Sequence, residues 1–346
     1  MSVATSIPSP SLRDASLASP ELVRRHRIGK LFEWTCFGST WFGIAVLGIL
    51  LAGIVWKATG WLTWDFLRHY HSTKAAKAGI LAGLWGSVWL ITLTALFSVP
   101  VGVGAAIYLE EYGRDSKLKR IIQVNLSNLA GVPSIVYGIL GLTAFVRLFG
   151  MIPAVLKSVT FKSTILPALK VTIPLPLGPT ILSGALTLGL LVLPVIIVAA
   201  QEALRSVPSS IRVASYALGA TQWQTIRHQV LPVAMPGIST GVILALSRAM
   251  GESAPLIMVG ALTSISYCPG KIESLSHLFS NPSGALQAPF DSFTALPIQI
   301  YNWSTRPEPE FQHVAAAGIL VLLTVLLCLN TAAILIRQRF AKNMKW

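Results

Sequence analysis

The chain has 346 residues, of which 53% are hydrophobic and only 12% charged, with a formal net charge of +14. A soluble domain carries about 25% charged residues, so the composition excludes an ordinary soluble globule and points to a bilayer. The positive charge lies in short groups at the ends of apolar stretches, which excludes a nucleic-acid footprint and leaves juxtamembrane anchoring.

Residues 1–30 open with a Ser-, Ala- and Pro-rich tail that reads as disordered, followed by the basic group Arg24, Arg25, Arg27 and Lys30. The apolar run after it is too long and too deep for a cleavable signal, and reads as a retained anchor. A spanning helix needs about 20 apolar residues. Six segments reach that length: 34–56, 84–109, 121–146, 180–200, 236–262 and 314–336. Their hydrophobicity is continuous and does not alternate, which predicts helices and not barrel strands. The expected fold is all-α: a polytopic membrane protein with six transmembrane helices in residues 31–337 and a short tail at 338–346.

The connections differ in character. Segment 57–83 carries Trp61, Trp64 and Tyr70, which suit a membrane interface. Segment 110–120 is a short charged turn, and 147–179, with Pro153, Pro167, Pro174, Pro176 and Pro179, is predicted to be mostly irregular. The longest connection, 263–312, holds Phe290, Phe293, Tyr301 and Trp303 among many prolines. A folded cap over a pathway and a passive linker are both compatible with it. Basic residues concentrate in the N-terminal arm, 114–120, 201–235 and the C-terminal tail, so the positive-inside rule places both termini in the cytoplasm.

Within the spans, Pro100, Pro133, Pro194 and Pro255 lie near membrane depth, where neighbours must satisfy the groups a proline frees. Gly79 with Gly83, and Gly237 with Gly241, offer close helix contacts. Asn125 and Asn128 suggest hydrogen bonds between helices, Arg147 a side chain snorkelling to the interface, and His69, His71 and His313 surface positions. Cys36 and Cys328 fall in spans and Cys268 in a loop, so neither a disulfide framework nor a metal set is expected.

Two features carry chemistry. Arg248 and Glu252 stand four residues apart inside the fifth apolar stretch, where a charge costs about 2.5–3.5 kcal/mol. On one helix the two share a face and can pair. They read either as part of a polar route through the membrane or as a buried ion pair locking two helices. The second feature is segment 201–235. Ser206 can cap a helix with Pro208 in its first turn, Ile211, Ala214 and Leu218 recur at helical spacing, and Gly219 supplies a left-handed stop. Thr221 can then cap a second short helix that Pro232 ends before the next span. Such a helix–Gly–helix elbow could dock a partner or rest on headgroups.

The elbow residues resemble a known motif. The run 212–232 is similar to the loop that ABC importer permeases use to engage their ATPase: Ala214, Gly219, Leu231 and Pro232 match its pattern. Val213 stands where the pattern has Glu, Ser215 replaces its second Ala and Gln229 its Ile. The run Ala245, Arg248, Gly251, Glu252, Ser253, Ala254 and Pro255 resembles the fifth-span signature of permeases of the phosphate-specific importer, A-type rather than C-type. Segments 126–138 and 293–301 resemble the same subunit, and the likeness spans about residues 34 to 337.

The resemblance implies a type I ABC importer permease core in the cell membrane. It also implies a heterodimer with a C-type phosphate permease, an ATPase dimer and an external phosphate-binding protein. It assigns Ile211, Ala214, Leu218, Gly219, Ala220, Leu231 and Pro232 to the coupling loop, and Arg248 and Glu252 to the substrate pathway. The loss of the usual Glu at Val213 removes one ionic contact without altering the elbow's geometry. No phosphate-binding Gly-rich loop is evident: Gly29-Lys30 and Gly270-Lys271 lack both the upstream Gly and the hydroxyl, so ATP hydrolysis is assigned to a separate subunit and no cofactor is expected. The rival readings are a gradient-driven transporter, a permease for another oxyanion such as sulfate or molybdate, and a structural scaffold.

Overall fold

The computed structural model describes residues 20–113, 116–147, 158–162, 170–174, 177–273 and 275–342. The tail at 1–19, expected to be disordered, and the last four residues lie outside that description. The chain divides into two units, Met1–Trp56 and Lys57–Trp346. The first contributes a single helix, α1 (Pro20–Ala58). Its large apolar side chains, among them Trp34, Phe42 and Ile49, are exposed, as befits a helix whose solvent is lipid.

The second unit carries α2 (Trp64–Arg68), α3 (Leu81–Ile107), α4 (Lys117–Leu129), α5 (Ser134–Gly141), α6 (Ile181–Arg205) and α7 (Ser209–Ala217). It continues with α8 (Gln222–Thr225), α9 (Leu231–Gly251), α10 (Ala254–Val259), α11 (Leu275–Ser280), α12 (Pro282–Gln287), α13 (Leu296–Ser304) and α14 (Pro309–Lys342). Among the described residues, five helices are long and apolar enough to cross a bilayer: Arg24–Ala58, Leu81–Tyr112, Ile181–Arg205, Gln222–Gly251 and Pro309–Arg339.

The segment expected as the third span is not one helix. It bends by 107° between Lys117–Leu129 and Ser134–Arg147. Pro133 explains the break, because its ring disfavours a helical residue before it and it offers no N–H to the preceding turn. The Tyr137 hydroxyl donates to the Leu129 carbonyl at 2.9 Å and satisfies one of the groups the break frees. Asn125 likewise bonds within its own helix, to the Ile121 carbonyl at 2.8 Å, and not across to a neighbour as expected.

Helix α6 forms the centre of the second unit. Ile181, Leu188, Val192, Ile196 and Leu204 along it are buried, packed among α3, α5, α9 and α10. Small residues set the approach: a Cβ at Gly241 would lie 2.3 Å from the Ala199 Cβ, and one at Gly237 2.8 Å from the Ala203 Cβ. The glycine pair on α9 is therefore used against α6, where only a bare backbone fits.

Residues 263–312 form a folded element and not a linker. Ile265, Cys268, Ile272, Phe293, Leu296, Ile298 and Trp303 are all buried. Main-chain groups tie the element down, with Leu262 N donating to Phe293 O at 2.8 Å and Leu296 N to Ser87 Oγ at 2.8 Å. Tyr70 donates to Glu273 Oε1 at 2.6 Å, and burial followed by this bond holds its phenol well above the usual range. His71, expected on the surface, is half-buried: it stacks on Trp303 with Nε2 3.0 Å from Arg306 Nη2. Burial and then the neighbouring guanidinium lower its pKa.

Within segment 147–179, residues 148–157, 163–169 and 175–176 lie outside the described residues, and two short strands lie between them. Strands β1 (Ser158–Lys162) and β2 (Lys170–Pro174) pair antiparallel, with Val159 opposite Ile173 and Phe161 opposite Val171. The β-branched residues between the prolines supply the strand propensity that the proline count obscured.

A Cβ at Gly86 would lie 2.0 Å from the Thr294 carbonyl oxygen, so Gly86→Leu should lift the 263–312 element from α3. Cys268 reports the result, because it is 1% exposed and burial pushes its thiol up to about 11. With Cys36 and Cys328 replaced by Ser, a maleimide at pH 7 should leave the parent unlabelled and label the Gly86→Leu variant.

Candidate functional site

Helix α9 ends at Gly251, and Glu252 follows as an extended C-cap residue with φ −80° and ψ 119°. The single unbroken helix expected over 236–262 is therefore replaced by a break before α10. Pro255 accounts for it, since in a continuous helix its ring would collide with the Gly251 carbonyl four residues back. Arg248 sits in the last turn of α9, with Nε 3.5 Å from Glu252 Oε1. Its side chain is 52% exposed and that of Glu252 21%. One turn earlier on the same face Leu244 is 65% exposed. Among the described residues the pair joins α9 to the residue just beyond it and bridges no second helix of this chain. It lies on an open stripe of this chain, at the point where the backbone leaves the helix.

Nearby, Ser247 hydrogen-bonds to Asn330 on α14 and to the Ile243 carbonyl. Asn330 was not singled out from the sequence, although it is the one amide side chain in the apolar segment 314–336. A groove of about 360 Å³ between α3, α9 and α14 includes both residues, but its lining is otherwise largely apolar and Arg248 is not part of it. That groove is a poor route for an anion.

The elbow differs from its sequence reading at both ends. Ser206 closes α6: it is the C-cap residue and its Oγ donates to the Ala203 carbonyl at 2.8 Å. Helix α7 instead starts after the extended residue Pro208. It stops as expected, with Gly219 at φ +82°. Gly219 N donates to Tyr216 O at 2.9 Å and Ala220 N to Ser215 O at 3.2 Å, which together make a Schellman motif. Thr221 and Gln224 then form a reciprocal capping box for α8.

Pro232 does not end that helix. Gln222–Gly251 runs on continuously through a π-turn at Ile226–Val230, whose wider hydrogen-bond spacing absorbs the donor and the space that Pro232 removes. Ile226 and Val230 are buried, and Ile211 and Leu231 pack on the same core. Ser215 and Thr225 join α7 to α8 through hydroxyls 2.8 Å apart. Ala214 is exposed and Ala220 half-buried. Facing out are large apolar groups: Val213 is 65% exposed, Trp223 54% and Leu218 90%.

Beside the elbow lies an arrangement the sequence reading missed. A π-turn at Tyr108–Tyr112 continues α3 and presents Glu110 and Glu111. Both Arg205 Nη2 and Arg205 Nε reach Glu110, at 2.7 Å to Oε1 and 3.0 Å to Oε2, and Gln201 adds a third bond. Glu111 receives Arg212 Nη2 at 2.6 Å, while the same guanidinium caps the carbonyls of Val207 at 2.9 Å and Leu204 at 3.0 Å. The available signal was two adjacent acids next to a loop rich in Arg, which composition alone does not pair. Among the described residues no group of His, Cys, Asp and Glu is placed to hold a metal ion.

Long apolar helices around a central α6, a span broken beside a charge pair and a docked elbow define a membrane-embedded translocation subunit. Over residues 98–346 the chain matches the family described as binding-protein-dependent transport system inner membrane component, and it belongs to that family. It is thus a multi-pass permease component of an ABC importer and not itself an enzyme. It is 32% identical over 276 residues to the probable ABC transporter permease protein YqgI of Bacillus subtilis, covering 79% of this chain and 82% of that protein. To the phosphate transport system permease protein PstA 1 of Mycobacterium tuberculosis it is 33% identical over 261 residues, 75% of this chain and 70% of the other. In fold it resembles a chain of a bacterial alginate ABC transporter, with a TM-score of 0.55 and 15% identity over 89% of this chain and 93% of that one.

The positive φ of Gly219 yields a direct test. A left-handed conformation costs a non-glycine residue about 1–2 kcal/mol, and Asn tolerates it best. Gly219→Ala should lower the thermal unfolding midpoint of the purified protein in detergent, and Gly219→Asn should lower it less. Equal effects would show that backbone conformation is not what this position requires.

Proposed function

We propose that this chain is the A-type permease of an ATP-driven importer of inorganic phosphate. The observation that carries the reading is the half-exposed Arg248 guanidinium at the break in the fifth span, paired only loosely with Glu252 at 3.5 Å. Phosphate is a strongly hydrated anion, and a rigid fork of charged N–H donors replaces part of the water it must shed. Glu252 opposes permanent capture, because a transient site must also release. Likeness to phosphate permeases such as that of Mycobacterium tuberculosis, 33% identical, favours phosphate among the oxyanions.

An open stripe carrying Arg248 suits a pathway that a second permease completes, which the resemblance names as a C-type subunit. The outward apolar groups of the elbow, Val213, Tyr216, Leu218 and Trp223, suit the groove of an ATPase subunit, present in two copies in the complex. The basic clusters put the elbow and both termini in the cytoplasm, and an external phosphate-binding protein would deliver substrate to the 263–312 side. ATP-driven closure of the ATPase pair moves the elbows and re-aims α6 and α9, to which they are joined.

The test is ATP-dependent uptake of labelled phosphate in vesicles carrying the assembled complex. Arg248→Ala should lower uptake by about 10- to 100-fold, the worth of one charge-assisted hydrogen bond, with assembly intact. Arg248→Lys should retain part of it. Wild-type uptake of sulfate or molybdate in place of phosphate would overturn the substrate, and wild-type rates in Arg248→Ala would remove Arg248 from the pathway.

A further inference from the structure

We infer that Glu110 and Glu111 form a charged clamp that passes movement of the elbow to α3 and α6 together, making Glu111 and Arg212 positioning residues for energy coupling. The inference rests on the ABC permease reading of the elbow and adds to it the route by which the elbow's displacement reaches the spans. Three elements converge on this acidic pair. Glu110 fastens the end of α3 to α6 through Arg205 and Gln201. Glu111 fastens the same turn to α7 through Arg212, and its own carbonyl accepts from Gln222 of α8 at 2.5 Å. Arg212 in turn reaches back to the Leu204 carbonyl in the last turn of α6 and to the Val207 carbonyl just beyond that helix. A displacement of α7 therefore cannot occur without pulling on two spans.

Burial separates this pair from ordinary surface ion pairs. The Glu111 side chain is 7% exposed and Arg212 22%, so water screens them little and the geometry is held. Surface pairs contribute little because water and salt screen them; this pair is largely shielded from solvent. Beneath it Ala106, Leu109, Leu204, Val207 and Val230 form a shared apolar core. The two acids stand within the π-turn Tyr108–Tyr112, and a second π-turn, Ile226–Val230, follows α8; at both the backbone has left α-helical spacing. Apolar contact alone lets helices slide over one another, whereas a forked ion pair fixes both direction and register.

The experiment uses the complex purified with this chain, comparing wild type with Glu111→Gln, Arg212→Gln and Arg212→Lys. Two quantities are read: phosphate taken up per ATP hydrolysed, and the distance between spin labels at Ser210 on the elbow and Tyr108 beside the clamp, with and without ATP. In the wild type that distance should stay constant as ATP binds. Glu111→Gln and Arg212→Gln should keep assembly and ATP hydrolysis, lose at least about tenfold in uptake per ATP, and show a distance that changes or broadens with ATP; Arg212→Lys should recover part of both. Wild-type coupling in both Gln variants, or loss of assembly in all three, would overturn the clamp. A wild-type complex that moves no phosphate would defeat the substrate reading and leave the label distances to decide the clamp.

Discussion

Inside hydrocarbon no water is available to a peptide N–H or C=O, so every backbone group must find its partner within the protein. That constraint shapes this chain more than any single contact. Regular helices meet it automatically, and each departure from regularity has a visible repair. The break at Pro133 is met by the Tyr137 hydroxyl, and the kink after α9 by Glu252 N donating to the Ala249 carbonyl. At Pro232 the π-turn does the same work. Arg248 and Glu252 sit at one of these breaks, where the backbone leaves the helix.

Packing follows from the same solvent. Lipid does not drive apolar helices together as water does, so close approach of small residues sets their arrangement. Gly237 and Gly241 of α9 meet Ala203 and Ala199 of α6, and Gly141 meets Thr187 of the same helix. Helix α6 is thereby held on several sides, and it ends within reach of Glu110. A movement delivered at that end has little slack to absorb it.

Charge is kept to the two ends of the bundle. At one end the Glu110–Glu111 turn collects Arg205 and Arg212; at the other, Tyr70, Glu273 and Asp291 organise the 263–312 element through hydrogen bonds. Arg248, with Glu252, stands apart from both groups, in a membrane-length helix on a face this chain leaves open. An arrangement with stiff charged ends and a sparsely charged middle suits a protein that must move without exposing ions to lipid.

Hydrophobic runs of about 20 residues are long enough to be read directly, and so the helical membrane fold was legible in the sequence alone. Gly219 as a left-handed stop was legible too, because the conformational preference of glycine is a property of the residue itself. The sequence could not show that Pro133 would bend its segment by 107° while Pro232 would be absorbed, since whether a proline breaks a helix depends on what repairs the freed groups. Nor could it join Glu111 to Arg212, which are 101 residues apart, or choose between a cap and a linker for 263–312. Those outcomes depend on which side chains the tertiary fold brings within hydrogen-bonding distance, and sequence order carries no such distance.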